Sequence, residues 1–577
     1  MNAERLLQYY KTIADAPDAI ARLRRFVLDL AVRGKLVPQD SADEPASELL
    51  RRIAEEKARL VEFGSRRADK PVKQSFKKAN RYRLPALWQW VDLQALCLSI
   101  TDGDHLPPPK ADEGVPFLVI GDVRSKKINY GCDRYVGRAY YEKLDVIRRP
   151  RKGDILYTLV GSFGIPVPVE EDREFCVQRH IGILRPYGSL SGQFLTYTLE
   201  SDLVLGQAGA FATGIAQKTV PLAGLRAIQI PLPPLAEQHR IVTKVDELMA
   251  LCDQLEGARA TRETTRDRLA AASLARLNSP DSATFQDDAR FALEAMPALT
   301  ARPDQVKQLR QTIFNLAVRG KLVPQNPTDR PAAELLEGIA DEKAQLVKIG
   351  GLKKDKEYWD GLSNEPPYVL PHNWNWARLQ DVFEISRGGS PRPAGDPKFF
   401  GGSTPWITVQ EITKDIQKYL IKTSVGLTDE GVRRSRTIEP GDLLLTNSGA
   451  TLGVPKISKI RGCINDGVAV LRQFHTVSMN DFCHLYLHSQ TLAFRSVNQG
   501  MGQPNLNTPI IAGWFIPIPP LAEQHRIVAK VDELMALCDQ LEASLTTADE
   551  TRRRLLDALL AEALAPVKAE NLQEAAE

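Results

Sequence analysis

Apolar residues recur with a 4-3-4-3 spacing at Ile241, Val245, Leu248, Cys252 and Leu255, and again at Ile527, Val531, Leu534, Cys538 and Leu541. Each set predicts a long helix with a heptad-like apolar seam. Glu237, Arg240, Lys244, Asp246, Glu247 and Glu256 charge the flanks of the first. Its pattern weakens where Arg259, Arg262 and Arg266 enter and resumes at Leu269, whereas the second continues through Leu555 and Leu559. Shorter helices fit Leu23–Leu36 and Leu309–Leu322, each ending near a glycine, Gly34 or Gly320, that suits a C-cap. Two more fit Ala46–Phe63 and Ala332–Ile349, just after Pro45 and Pro331. Short apolar runs bounded by Gly, Asp or Pro predict strands at Phe117–Ile120, Ile155–Val160, Ile181–Leu184, Trp406–Val409, Leu443–Thr446 and Val468–Leu471. Asn278–Pro303 reads as a loose connection in which Phe285–Met296 fits a short helix.

These elements fall into two copies at an offset of 286 residues. Ile230–Glu256 and Ile516–Glu542 differ only at Leu232/Ile518 and Thr243/Ala529. Ala31–Gln39 repeats as Ala317–Gln325, and Leu84-Pro85, Trp88 and Trp90 repeat as Leu370-Pro371, Trp374 and Trp376. Between the agreeing stretches the register drifts. Pro116-Phe-Leu-Val matches Pro405-Trp-Ile-Thr at 289, Gly153-Asp-Ile-Leu matches Gly441-Asp-Leu-Leu at 288, and Cys176 matches Cys463 at 287. Two similar folds have taken different loops while keeping the same ends. The chain reads as a ring of two units cut once inside the repeated unit. The expected class is α+β, with two mixed α/β domains separated by two long repeated helices in a pseudo-two-fold, circular arrangement. The seam helices have two candidate partners, their own domain or each other. Duplication favours an antiparallel pair. The expected divisions are a helical segment over 1–81, a variable domain over 82–234, a central helical spacer over 235–367, a second variable domain over 368–520 and a closing helix over 521–577.

Composition narrows the class. A net charge of +3 is nearly neutral, so any nucleic-acid face must be local. Seven cysteines lack a CxxC pair, which argues against a disulfide framework or zinc ribbon. No apolar run approaches the roughly 18 residues of a membrane span, and the first residues lack the pattern of a signal peptide. A cytoplasmic protein fits these features. Cys252 and Cys538 sit inside the seams and read as packing residues.

A search for chemistry finds none. There is no Asn-Pro-Pro-Tyr-like or Asp-Pro-Pro-Tyr-like tetrapeptide, no GxGxxG between strand and helix, and no GxxxxGK[ST] loop. Asp154 and Asp442 in the Gly-Asp-[Ile/Leu]-Leu runs could be metal carboxylates, but a turn feeding a buried strand is the favoured reading. His239 and His525 start the seam helices without a partnering nucleophile and read as capping or surface residues.

Pro231–Val242 and its copy Pro517–Val528, the Ala-Val-Arg-Gly-Lys-Leu-Val-Pro-Gln blocks and the Leu-Pro-x-x-Trp-x-Trp openings together resemble the specificity subunit of type I restriction–modification enzymes. The resemblance covers almost the whole chain. It implies two target-recognition domains held apart by helical spacers, each domain reading one half of an asymmetric, bipartite site on double-stranded DNA. It implies no catalysis and no cofactor in this chain. S-adenosylmethionine, ATP and Mg would serve partners, namely two modification subunits, with or without two restriction subunits. The modification subunits would dock on the repeated helices. Base edges carry sequence and phosphates set position, and Arg to guanine and Asn or Gln to adenine are the expected pairs. The candidates in the first domain are Lys110, Arg124, Lys126, Lys127, Arg134, Arg138, Gln178, Arg179, Gln217 and Lys218. Those in the second are Arg387, Arg392, Gln410, Lys414, Asn447, Asn465, Asn498, Gln499, Gln503 and Asn505. For each, an ordinary solvated loop residue is the competing reading, and Tyr135, Tyr140 and Tyr141 fit a core equally well. The loop Gly214–Lys218 is set against Gly502–Leu506, where target choice could differ. A standalone nuclease and a scaffold that pairs two partners are the rivals. Divergent polar loops between near-identical frames favour recognition.

Overall fold

The computed structural model describes residues 9–62, 82–105, 109, 111–214, 217–278, 284–352, 365–474, 479–497 and 505–564. The chain divides into two compact units. One comprises Met1–Arg262 with Asp549–Glu577, and the other is Glu263–Ala548.

Each unit has a helical frame and a variable domain. In the first, helices α1 (Ala19–Val32) and α2 (Ala46–Glu62) precede the domain, and α3 (Leu235–Asn278) follows it. In the second, α4 (Pro303–Val318) and α5 (Ala332–Lys348) precede it and α6 (Leu521–Leu564) follows. Both long helices have 44 residues and run past the unit boundary. The segment 278–303, expected to be a loose connection, contains a helix over Phe285–Leu299, somewhat longer than the Phe285–Met296 stretch that fits one in the sequence.

The first part of each seam packs inside its own unit. Ile241 and Val245 are fully buried against Val27, Leu28 and Ala31 of α1, with Trp88 and Phe194. Ile527, Val531 and Cys538 join the core of the second unit. Leu255 of the first seam is exposed, as are Leu251 and Leu537 beside the seams. The closing residues of α6 serve the first unit, where Leu556, Leu559 and Leu560 pack on Phe26 and Leu30. The closing residues of α3 serve the second, where Asn278 is bonded by Thr312, Asn315 and Arg319.

The repeated motifs form one joint. Helix α1 ends at a left-handed Gly34 (φ 65°), with Lys35 N donating to Leu30 O at 3.0 Å. Gly320 (φ 67°) repeats this with Lys321 N on Leu316 O at 2.9 Å. The Schellman turn favours glycine, and here packing demands it as well. A Cβ on either would fall 2.5 Å from Cγ of Pro85 or Pro371. The Arg-Gly-Lys cap and the Leu-Pro-x-x-Trp opening are thus two sides of a single contact.

The domain then leaves and rejoins its frame through a two-stranded ribbon. Strand β1 (Gln89–Asp92) pairs antiparallel with β9 (Gln229–Leu232), Trp90 opposite Pro231. In the second unit β10 (Asn375–Arg378) pairs with β20 (Phe515–Ile518), Trp376 opposite Pro517. Within the first domain β2 (Cys97–Asp102), β8 (Ile181–Pro186), β5 (Ile155–Thr158) and β6 (Pro166–Pro168) form one antiparallel sheet. A second sheet holds β4 (Tyr135–Val136), β3 (Val115–Leu118) and β7 (Cys176–Val177), β3 and β7 parallel. The second domain repeats the first sheet as β11 (Phe383–Arg387), β19 (Val468–Gln473), β16 (Leu443–Thr446) and β17 (Pro455–Ser458), adding β13 (Tyr419–Leu420) at the edge. It repeats the second as β14 (Gly426–Leu427), β12 (Phe400–Ile407) and β18 (Gly462–Ile464), adding β15 (Arg436–Ile438). The drift read from sequence is visible in the pairing, because Phe117 faces Cys176 where Trp406 faces Cys463. Strands β5 and β16 are buried on both faces, which explains their continuous apolar runs.

Candidate DNA-reading surface

The two Gly-Asp turns resolve as structure. Asp154 accepts from Arg185 Nε at 2.8 Å and Nη2 at 2.7 Å, and both side chains are buried. Its Oδ2 also accepts from Arg151 N at 3.0 Å. Asp442 binds Arg472 at 3.1 and 2.7 Å and caps Glu439 N at 2.8 Å. The carboxylates are consumed by a bidentate arginine and their own turn. Among the described residues no group of three or more His, Cys, Asp and Glu is placed to hold a metal ion. His239 and His525 are exposed on the seam helices. All seven cysteines are free and buried, with Cys176 pushed up to about 12 by burial first and Asp104 next.

Loop ends from four places meet at one end of the β5–β8 pair, and their main-chain bonds are the same in both domains. Leu159 N donates to His180 O at 2.9 Å and Val220 N to Leu159 O at 2.8 Å. Asn447 N donates to Gly467 O at 2.9 Å and Leu506 N to Asn447 O at 2.8 Å. Gln178 N reaches Leu118 O at 2.9 Å, and Asn465 N reaches Ile407 O at 3.0 Å. Val160 bridges Thr219 where Ser448 bridges Asn505. Gly103 N and Gly388 N donate to Ile181 O and Val468 O. A Cβ at Gly103 or Gly388 would lie 1.9 or 2.1 Å from a carbonyl oxygen, so both positions require glycine.

This wiring fixes which residues correspond. Leu159 matches Asn447, Gln178 matches Asn465, and Thr219 matches Asn505. Leu506 therefore matches Val220, at an offset of 286. The expected pairing of Gln217 and Lys218 with Asn505 and Leu506 is thereby corrected, and the rest of the pairing of Gly214–Lys218 with Gly502–Leu506 falls on residues outside the described ones. Asp102 matches Arg387, and Arg179 matches Asp466, so the sign of charge is reversed at two places.

The predicted site residues divide accordingly. Gln178, Arg179, Gln217, Lys218, Arg387, Asn447, Asn465 and Asn505 lie on these loop ends. Arg179 is exposed and, after burial, is the second cause holding His180 below its usual range. Arg387 Nε donates to Asp466 O at 2.6 Å, and Arg392 stands 3.8 Å from the Asp466 carboxylate. A second group follows the short helix Ile120–Val123: Arg124, Lys126 and Lys127 are exposed, and Lys126 pairs with Glu200. Arg134 binds Asp122 at 2.6 Å, and Arg138 binds Glu142 at 2.9 Å and also Glu174. Gln410 is exposed on the helix Val409–Thr413. Lys414 binds Glu411 at 2.6 Å; burial works against that carboxylate, yet Lys414 and Ser424 hold it below its usual range. Lys110, Asn498, Gln499 and Gln503 lie outside the described residues. Tyr141 is buried, whereas Tyr135 and Tyr140 are half-buried, with Tyr140 donating to Asp104 at 2.7 Å. Sequence reading missed Asp102, Leu159, Thr219 and Asp466. Their signal is positional and emerges only once strand register is known.

Comparison with known proteins gives a consistent picture. The family described as type I restriction modification DNA specificity domain matches residues 109–262 and 371–548. The chain is 31% identical over 570 residues to the type I restriction enzyme EcoAI specificity subunit of Escherichia coli, covering 94% of this chain and 93% of that one. It is likewise 31% identical to the EcoEI specificity subunit of the same organism, covering 94% of each. A chain from a solved structure described as addressing complex assembly and conformational transition of the type I R-M system is 20% identical, covers 84% of this chain and 99% of its own, and has a TM-score of 0.49.

Proposed function

The chain belongs to the type I restriction–modification DNA specificity family, and from that premise we propose that it is the DNA-reading subunit of a type I complex. Each variable domain reads one half of a bipartite site. The halves differ, so the site is asymmetric. The observation that carries this reading is the loop cluster, where one main-chain wiring presents different side chains in the two domains. Scaffolding alone would leave that divergence without a use.

The chain itself performs no chemistry. Methyl transfer from S-adenosylmethionine falls to two modification subunits, and ATP- and Mg-dependent translocation and cleavage to restriction subunits where they are present. The modification subunits dock on the repeated helices. Ala236, His239 and Glu247 are exposed on α3 and reappear as exposed Ala522, His525 and Glu533 on α6. Solvated positions with no packing constraint drift, so identity there fits two equivalent docking faces. The helices also set the gap between half-sites. Forty-four residues make a rod of about 66 Å, against about 34–36 Å for a turn of DNA.

The test is methyl transfer by purified chain with and without modification subunits, followed by mapping of methylated adenines. The complex methylates one recurrent two-part motif and the chain alone methylates nothing. Activity from the chain alone overturns the assignment.

A further inference from the structure

The reading of the chain as a DNA specificity subunit says that the variable domains differ; the loop cluster indicates where. In the second domain all three corresponding positions are asparagine. Asn447 is 1% exposed, and Asn465 and Asn505 are half-buried. The Oδ1 atom of each is buried without a hydrogen-bond donor. A buried carbonyl oxygen left unmatched costs free energy, and native folds rarely tolerate several together. Here three occur on loop ends joined by direct main-chain bonds and bridges. The first domain carries Leu159, Gln178 and Thr219 on the same backbone, and none of their side-chain oxygens or nitrogens is orphaned in this way.

Packing in the second domain makes room for the cluster. A Cβ on Gly467 would lie 2.9 Å from Ser448 Oγ and 3.4 Å from Asn465 Nδ2, so the side chains close over a bare Cα. The surrounding charges are inverted relative to the first domain, with Arg387 and Asp466 where the first has Asp102 and Arg179. Carboxamide torsions at χ2 are broad, so Asn465 and Asn505 can turn either amide edge outward from their half-buried sites.

We propose that Asn447, Asn465 and Asn505 form the base-reading pocket of the second domain: buried Asn447 ties the loop ends together, and the half-buried Asn465 and Asn505 turn their carboxamide oxygens outward, each to accept from the exocyclic amine of an adenine or cytosine in its half-site. This rests on the family reading given above. An adenine offers an N6 amine beside the N7 acceptor and can engage both edges of one carboxamide; a cytosine offers its N4 amine. The first domain, with Leu159, Gln178 and Thr219 in place of the three asparagines, takes a different base at the corresponding step.

The test uses full-length chain assembled with its modification subunits. The wild-type methylated motif is first read from DNA. Methylation is then measured on targets substituted at each position of the second half-site. Asn505→Thr, which installs the residue of the first domain at a half-buried position, lowers methylation of the cognate target by about tenfold or more. It also abolishes discrimination at one adenine or cytosine position, with the first half-site read as before. The exchange Leu159→Asn with Thr219→Asn changes discrimination only in the first half-site. Wild-type discrimination by Asn505→Thr at every position overturns the proposal. So does a uniform loss of activity with discrimination intact, which would mean that the oxygens are satisfied by structural water. A wild-type complex that methylates no two-part motif removes the family premise instead, and the pocket with it.

Discussion

The indole Nε1 of Trp88 donates at 2.8 Å to Glu237 Oε2, and both side chains are buried. Gln39 Nε2 donates to the other carboxylate oxygen at 2.6 Å. The second unit repeats this with Trp374 on Glu523 at 3.0 Å and Gln325 at 2.6 Å. One glutamate thus ties together the domain opening, the loop after the first helix and the start of the seam helix. Arg240 adds a bond to Asp43 at 2.5 Å, and Gln238 bonds Pro233 O at 3.0 Å. Three residues of the Leu-Ala-Glu-Gln-His-Arg run are therefore internal fasteners.

Glu237→Ala leaves the buried Trp88 donor unmatched, whereas exposed Gln39 keeps its bond to Gly34 O. It lowers stability by about 1–3 kcal/mol, the cost of one orphaned buried group. Denaturant unfolding of the purified chain measures the loss, and Glu523→Ala gives a loss of similar size.

Asp29 on α1 is held up at about 6, first by burial and then by Asp202, against an ordinary 3.8. Its repeat mate is the neutral Asn315. A raised carboxyl favours the fold when protonated. That contribution is complete below about 4 and is lost as pH rises through about 6. Asp29→Asn therefore stabilises the chain by about 1–2 kcal/mol at pH 7, and the gain vanishes near pH 4. Melting temperatures across that range check the sign.

Asp154→Ala strands the buried Arg185 guanidinium. The expected loss is about 3–5 kcal/mol. Thermal melting of wild-type chain is unchanged by a chelator or by added magnesium. A metal-dependent melting temperature would return the Gly-Asp turn to the list of metal carboxylates.

Four residues of helix-forming sequence inserted after Gly257 of α3 lengthen the rod by about 6 Å. The mapped motif keeps both half-sites and gains a longer gap. Altered half-sites with an unchanged gap would contradict the role of α3 as a spacer.

Helices and buried strands were legible because they repeat locally. The 4-3-4-3 spacing of Ile241 to Leu255 and the run Leu443–Thr446 carry their own period. The ribbon Gln89–Asp92 with Gln229–Leu232 was not, since it pairs segments far apart in sequence. The reading surface was legible only as residue types. Arg134 and Arg138 look like DNA-reading candidates in sequence, yet each is matched by an acid. Asn447, Asn465 and Asn505 look like three unrelated loop residues until strand register brings them together. The match of Lys218 with Leu506 was misplaced by two residues because loop ends do not announce which bridge they form.

The ribbon that closes each variable domain has an evolutionary corollary. Entry and exit lie side by side, so everything between Leu84 and Pro234 hangs from the frame like a cartridge in a socket. Exchange of that whole interval by recombination keeps the socket's contacts wherever the incoming segment brings the same proline and tryptophan, as Pro85 on Gly34 and Trp88 on Glu237 do here. New target preferences can then spread through wholesale replacement, faster than point mutation of a reading surface permits.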